Sequence, residues 1–212
     1  MRVTIIARSP AAHLPSVRAD VTDPAAIAAA FRKIGRVDVL VNNAGVLGPI
    51  GPFAEANFDE WWRAMDVNVR GAMLCTHAVL PGMMERKQGR IINMVTGAFS
   101  APHLSAYLAS KTALVRVTEC VADEARDFGI AMFSVAPGTV RTDMSMHSLE
   151  SDEGRRWIPW FRRIFDEGLD LPPERPAALV SALASGKYDG LTGLSQSVRR
   201  SGCAGLGARG NR

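Results

Sequence analysis

Short apolar runs rich in β-branched residues alternate with longer segments of helical period along most of the chain, and this alternation leaves few folds open. Val3–Ala7 reads as a strand, and Ser16–Ala19 as a second. Asp23 then caps an Ala-rich helix that starts at Pro24 and runs to about Ile34, because an aspartate accepts from free N–H groups and proline suits the first helical position. Val37–Val41 is the next strand, ending at Asn42. A long helix from Asn57 to about Met84 follows, with Phe58, Trp61, Trp62, Met65, Val69 and Met73 expected on its buried face. Arg90–Val95, a helix from about Ser105 to Asp127, and Ile130–Ala136 continue the pattern. Beyond Pro137-Gly138 the sequence reads as irregular to Leu171, then as a helix over Pro173–Ala184 and a last strand near Leu191.

Strands that are almost continuously apolar belong in a parallel sheet covered on both faces. The expected fold class is therefore α/β, a doubly wound, Rossmann-like parallel sheet. Residues 1–194 form its one domain, and the Ser-, Gly- and Arg-rich residues 195–212 are expected to be a disordered basic tail.

Charge and cysteine usage narrow the function. Of 25 basic side chains, the four arginines 199, 200, 209 and 212 lie in a final stretch without acids, which leaves 21 against 21 acidic groups in the body. A neutral body is a poor nucleic-acid surface. No apolar run approaches the roughly 18 to 20 residues of a membrane span, and the N-terminus lacks a secretory core, so a cytoplasmic location is expected. Cys75, Cys120 and Cys203 are too scattered for a disulfide framework, and His13, His77, His103 and His147 lack metal-ligand spacing; no metal is expected. The single G-x-G-x-x-G, at Gly205, Gly207 and Gly210, has no room after it for the helix that a dinucleotide loop requires.

Tyr107 and Lys111 are different. Four residues apart, they share one face at the start of a helix, where an ammonium is expected to stabilise a phenolate and lower the tyrosine's pKa. Alone the pair has an ordinary reading as an exposed helix pair. In company it has more, because Asn42-Asn43-Ala44-Gly45, Thr96 and Pro137-Gly138 each close a strand at the carboxyl edge of the sheet, the edge where open α/β sheets bind ligands.

The set Val39-Leu40-Val41-Asn42-Asn43-Ala44-Gly45, Asn68, Ile91-Ile92-Asn93, Tyr107-Leu108-Ala109-Ser110-Lys111 and Pro137-Gly138-Thr139-Val140-Arg141-Thr142 resembles, in order and spacing, the short-chain dehydrogenase/reductase family. The resemblance implies an NAD(P)-dependent oxidoreductase acting on a small carbonyl or alcohol substrate, with the chain acting alone or as a homo-oligomer and touching neither nucleic acid nor membrane. It implies Tyr107 as general acid/base, Lys111 as the residue that lowers its pKa and bonds the nicotinamide ribose, and Asn68 as holder of a relay water. Thr96 stands where the family usually has serine, with Ser100 and Ser105 as alternatives. For the cofactor it implies Asp20 and Val21 at the adenine, Asn43, Ala44 and Gly45 beside the adenosine ribose, and Pro137, Gly138, Thr139 and Val140 facing the carboxamide. Arg8 resembles the partner of a 2′-phosphate, which favours NADP over NAD; its other reading is a solvated surface charge.

The pattern departs from the family before Val3. The family's first strand and its glycine-rich phosphate turn have no counterpart here, so the expected sheet is N-terminally incomplete, with strands on either side of a missing central one. The departure keeps a second reading open, a non-catalytic remnant acting as a protein-binding or oligomerising module. Met144, Met146, Trp157, Trp160, Phe161 and Phe165 occupy the family's substrate-lid position and are read either as lining for an apolar substrate or as helix packing.

Overall fold

The computed structural model describes residues 2–9, 13–97 and 99–197. Its strands are β1 (Ile5–Ala7), β2 (Ser16–Arg18), β3 (Val39–Asn42), β4 (Gly89–Met94), β5 (Ile130–Ala136) and β6 (Ser195–Ser197). The helices are α1 (Pro24–Ile34), α2 (Phe58–Met65), α3 (Ala72–Arg86), α4 (Ser105–Ala125), α5 (Asp143–Glu150), α6 (Asp152–Trp157), α7 (Phe161–Asp166) and α8 (Glu174–Ala184). A π-helical stretch, Asp66–Gly71, joins α2 to α3 without a break.

Among the described residues every strand pairing is parallel, and the strands form two sheets rather than one. There β3-β4-β5-β6 is continuous, while β1 pairs only with β2. One apolar cluster serves both sheets: Ile27 and Phe31 of α1 and Val79 and Met83 of α3 pack with Leu40 and Ile91, and Ile6 and Val17 lean on the same cluster. On the opposite face of the larger sheet, Leu179 and Leu183 of α8 cover Ile92, Phe133 and Val135. Helices on both faces of parallel strands make this the doubly wound α/β class expected from the sequence.

Local signals account for the element ends. The Asp23 carboxylate accepts from the N–H groups of Ala25 and Ala26 at 2.9 and 3.0 Å, and Gly35 at φ +75° closes α1. Asn57 caps α2 in the same way, through Asp59 and Glu60.

Three expectations are corrected. The α2–α3 run buries Ala64, Val67, Asn68, Cys75 and Val79, not the aromatic stripe; Phe58 and Trp62 are 58% and 50% exposed. Small residues win that face because α2 lies close on α4 and on the Gly48 loop, where a Cβ on Gly48 would sit 3.0 Å from Ala106 and 3.1 Å from Ala64. The aromatics stack on one another instead, with Trp61 and Trp62 ring centroids 5.4 Å apart. Residues 143–166 are three short helices rather than irregular chain, each of the first two opened by a hydroxyl cap: Thr142 accepts from Ser145 N–H, and Ser151 from Gly154 N–H. The last strand starts at Ser195, inside the segment expected to be tail, and pairs with Ser134–Ala136. Residues 198–212, with Cys203 and the terminal glycine motif, lie outside the described residues.

Candidate active site

Two buried polar chains hold the carboxyl edge of the larger sheet. In the first, the Asn42 side-chain amide donates to Asn93 Oδ1 (2.8 Å), Thr76 Oγ1 (3.1 Å) and the Ala72 carbonyl (3.2 Å). Asn93 Nδ2 in turn donates to Thr118 Oγ1 at 2.8 Å, and that hydroxyl donates to the Leu114 carbonyl. The ends of β3 and β4 are thereby tied to α3 and α4, and every member is buried.

The second chain starts on the π-helical stretch. Asn68 Oδ1 accepts from Val46 N–H, and Asn68 Nδ2 donates to the Val46 carbonyl and to Ser110 Oγ, each at 2.8 Å. Ser110 Oγ donates to the Tyr107 carbonyl at 2.7 Å. Asn68 is thus a strut between Val46, just after the Asn43–Gly45 turn, and Ser110 in the second turn of α4, with its side chain committed to protein partners. Ser110, fully buried, is a part of this machinery that the sequence reading passed over; its place three residues after Tyr107 on the inward face was the available signal.

Lys111 is buried at 5% exposure and donates from Nζ to the Met94 carbonyl at 2.8 Å, at the end of β4. Its Nζ lies 5.8 Å from the centre of the Tyr107 ring. Gly45 closes over the same spot: a Cβ there would stand 3.3 Å from Lys111 Nζ and 3.2 Å from Asn68 Oδ1. The structure therefore brings together Gly45, Asn68, Tyr107, Lys111 and the end of β4. Burial pushes the Lys111 ammonium down to about 8, and burial raises the Tyr107 phenol above its usual value. The sequence reading expected the opposite for Tyr107. Removal of the phenolate from water outweighs a cation that sits over the ring and is itself weakened by burial.

Thr96 is half-buried two residues beyond Met94, and Ser100 is exposed. Ser105 Oγ accepts from Trp61 Nε1 at 3.0 Å, so its hydroxyl serves the α2–α4 contact. The Pro137–Val140 segment is pinned from outside: the Thr139 carbonyl accepts from Leu171 N–H at 2.8 Å, Val140 bridges to Leu171, and Gly138 at φ +77° lies so close to Leu171 that a Cβ would meet it at 2.8 Å. Ser145 Oγ donates to the Val140 carbonyl at 2.8 Å.

At the other end, Arg8 is exposed just after β1. Asp20 accepts from the N–H and hydroxyl of Thr22 at 2.9 and 2.8 Å, and these bonds, the N–H first, hold its carboxyl below the usual value, with Arg8 and Arg63 adding to the effect. Val21 packs on the π-helical stretch, where a Cβ on Gly71 would come within 2.7 Å of its Cγ2. Asn43 and Ala44 are exposed at the turn after β3. Trp157 and Phe161 pack with Ile50, Leu104, Leu108 and Ile158, and Phe165 is buried, which is the helix-packing alternative for these three lid residues.

A family model described as short chain dehydrogenase matches residues 5–153. The chain belongs to the short-chain dehydrogenase family. It is 33% identical over 210 residues to the short chain dehydrogenase andI of Emericella variicolor, covering 94% of this chain and 68% of that one. It is 44% identical over 143 residues to a protein named inactive 2-(S)-hydroxypropyl-CoM dehydrogenase 2 of Xanthobacter autotrophicus, covering 64% of this chain and 62% of the relative. Across these and the Escherichia coli oxidoreductase UcpA, this short-chain dehydrogenase spans about half to two thirds of the relatives' length, from 52% to 68%. Among solved structures, levodione reductase superposes with a TM-score of 0.81 at 25% identity, covering 93% of this chain and 86% of that one. A gluconate 5-dehydrogenase from Burkholderia cenocepacia, solved with NADP and tartrate, superposes with a TM-score of 0.74 at 25% identity over 87% of this chain and 73% of that one. Among the described residues no helix is long and apolar enough to cross a membrane, and no group of three His, Cys, Asp or Glu side chains converges.

Proposed function

We propose that this oxidoreductase-family chain interconverts a carbonyl compound and a secondary alcohol with a nicotinamide cofactor, Tyr107 moving the proton. The observation that carries the reading is the convergence of Tyr107, Lys111 and Gly45 at the ends of β3 and β4, with Lys111 anchored on the Met94 carbonyl. When bound, the nicotinamide supplies or accepts the hydride. Burial keeps the Tyr107 phenol protonated at neutral pH, so it is a proton donor to a carbonyl oxygen that gathers negative charge. Lys111, with ammonium hydrogens beyond the one given to Met94, bonds a ribose hydroxyl and offsets the phenolate left after transfer. In the reverse direction the phenolate takes the alcohol proton. Thr96, or Ser100 in its place, donates a second hydrogen bond to the substrate oxygen.

The residues present fit the two ends of a dinucleotide: Lys111, Thr139 and Val140 for the nicotinamide side, and Asp20, Val21 and Asn43 for the adenosine side. For the pyrophosphate between them, the described residues offer no glycine-rich turn leading into a helix. Arg8, exposed at the end of β1 where no carboxylate competes for a free 2′-hydroxyl, favours NADP. The exposed Phe58 and Trp62 support self-association through α2.

The test is oxidation of NADPH with a panel of small ketones and aldehydes, by the full chain and by the chain joined to an N-terminal strand and glycine-rich turn. Tyr107→Phe is expected to lose at least about a hundredfold in rate with its circular dichroism unchanged. Undiminished turnover in that variant refutes the assignment. A second reading, a non-catalytic binding module, is favoured by the division of the strands into two sheets and gains if neither form turns over any substrate.

A further inference from the structure

Phe53, Phe58 and Trp62 are 61%, 58% and 50% exposed, and with half-buried Trp61 they form one aromatic surface at the start of α2. The rings are held in place. The Asn57 cap on the N–H groups of Asp59 and Glu60 fixes the first turn, and the Trp61 indole N–H donates to Ser105 Oγ at 3.0 Å. Phe58 lies nearly parallel to Trp61, at 16°, whereas Trp62 stands at 89° to Phe58 with the ring centroids 6.2 Å apart. Phe53 meets Trp61 in a similar way, at 81° and 6.3 Å. Elsewhere among the described residues, the rings of Tyr107, Trp157, Phe165 and Tyr188 each have a lysine or arginine of this chain over them; the four rings at α2 have none. Their surroundings are acidic instead. Residues 51–66 hold Glu55, Asp59, Glu60 and Asp66 against the single base Arg63. Glu55, Asp59 and Glu60 are exposed, and among the described residues none of these three is in an ion pair.

We propose that this surface is a binding site for a small soluble trimethylammonium compound that carries no acid group. The negative faces of the rings attract a cation within about 6 Å of a ring centre, and the carboxylates beside them add a field of the same sense. An exposed aromatic patch in neutral surroundings suits any apolar partner, but one set among unpaired carboxylates suits an apolar partner that is positive. Shape narrows the cation further. Over two rings at right angles whose centres are 6.2 Å apart, a charge at equal height above both lies about 4.4 Å from each centre. A near-spherical trimethylammonium head lies against both faces at once. A planar guanidinium stacks on one, as Arg156 does on Trp157 at 4.5 Å and Arg141 on Phe165 at 4.8 Å, and a bare ammonium holds its water more strongly. Glu55, Asp59 and Glu60 repel a phosphate or carboxylate joined to the head, which selects an uncharged tail over a zwitterion.

The probe is choline, titrated into the full chain while tryptophan fluorescence and the proton resonance of the choline methyl groups are followed. Saturable binding with a Kd of about 1 mM is expected, with the methyl resonance moving upfield as protons over ring faces do. Dimethylbutanol, the carbon isostere without the charge, is expected to bind at least about tenfold more weakly, and phosphocholine and glycine betaine at least about threefold. Phe58→Leu and Trp62→Leu keep apolar bulk at exposed positions but remove a π face; each is expected to weaken choline about fivefold or more with circular dichroism unchanged. Asp59→Asn with Glu60→Gln is expected to weaken it about threefold. Equal binding of the neutral alcohol, tighter binding of phosphocholine than of choline, indifference to both leucine variants, or no saturation by about 50 mM choline overturns the proposal. Where copies associate through α2, choline is expected to separate them and the alcohol to leave them joined. Association that Trp62→Leu abolishes and saturating choline leaves intact counts against the site. No readout involves turnover, so the proposal succeeds or fails apart from the oxidoreductase reading.

Discussion

Lys111→Met is expected to make this protein more stable while removing a residue assigned to its chemistry. Burial takes the Lys111 ammonium from 10.5 down to about 8, so at neutral pH the side chain is still charged and keeping that charge buried costs the fold about 3 kcal/mol. The folded-state value lies below the unfolded one, so between pH 8 and 10.5 the unfolded chain holds more protons and stability rises with pH through that window. Tyr107 acts oppositely only at higher pH: its raised value lets the folded state keep a proton that the unfolded chain loses above about 10. Methionine fills a similar volume without charge but leaves the Met94 carbonyl without its donor, at a cost of about 1 to 2 kcal/mol. The net expectation at neutral pH is a gain of about 1 to 2 kcal/mol, or a few degrees in Tm for a chain of this size. Urea unfolding of both proteins at pH 7, 8.5 and about 10 decides it. Wild-type stability should climb over that range and the variant should stay flat; a flat or falling wild-type curve, or a variant less stable at pH 7, refutes the reasoning.

Other outcomes are equally checkable. Arg8→Asp should shift the ratio of NADPH to NADH turnover toward NADH by about tenfold or more, because it removes a phosphate partner and installs a repelling charge; an unchanged ratio makes Arg8 a surface charge. Ser134 Oγ is buried with no hydrogen-bond partner, so Ser134→Ala should raise stability by about 1 kcal/mol, and a loss in thermal unfolding would mean that the hydroxyl has a partner after all. Gly154→Ala would drive a Cβ into the Ser148 carbonyl; a loss of about 2 kcal/mol or more is expected, and an unaltered Tm would show that α5 and α6 move apart freely.

Much of the fold was legible where one local force dominates. Asp23-Pro24 announces α1 because capping needs only neighbouring atoms, and Ile130–Ala136 announces a central strand because nearly every residue in it is apolar. The buried face of α2 was not legible. Aromatic residues carry the largest hydrophobic signal, yet close approach of α2 to α4 selects Ala64 against Ala106, and no periodicity reveals which helix comes near. The helices over 143–166 were missed because each is too short for two repeats of an apolar face; Thr142 and Ser151, each followed by an acid, were the available signals. Tyr107 and Lys111 could be placed on one face from spacing alone. The sign of the tyrosine's shift could not, since it depends on how much chain from β4 and the Gly45 turn covers the pair.

The π-helical stretch at Asp66–Gly71 sets a rule about chain length rather than residue type. A π turn holds one residue more than the α turn it replaces, so α2 and α3 are out of phase with a continuous α-helix. Deleting any one residue between 66 and 71 would restore α-helical phase and rotate α2 against α3 by about 100°. Trp61 would then swing away from Ser105, Ala64 from the Gly48 loop, and Asn68 from Val46 or Ser110, whichever side the helix kept. Substitutions here are felt one side chain at a time, whereas a single deletion would displace a whole helix. Insertions and deletions in this stretch should therefore be rejected in any chain that keeps both the Trp61–Ser105 contact and the Asn68 strut.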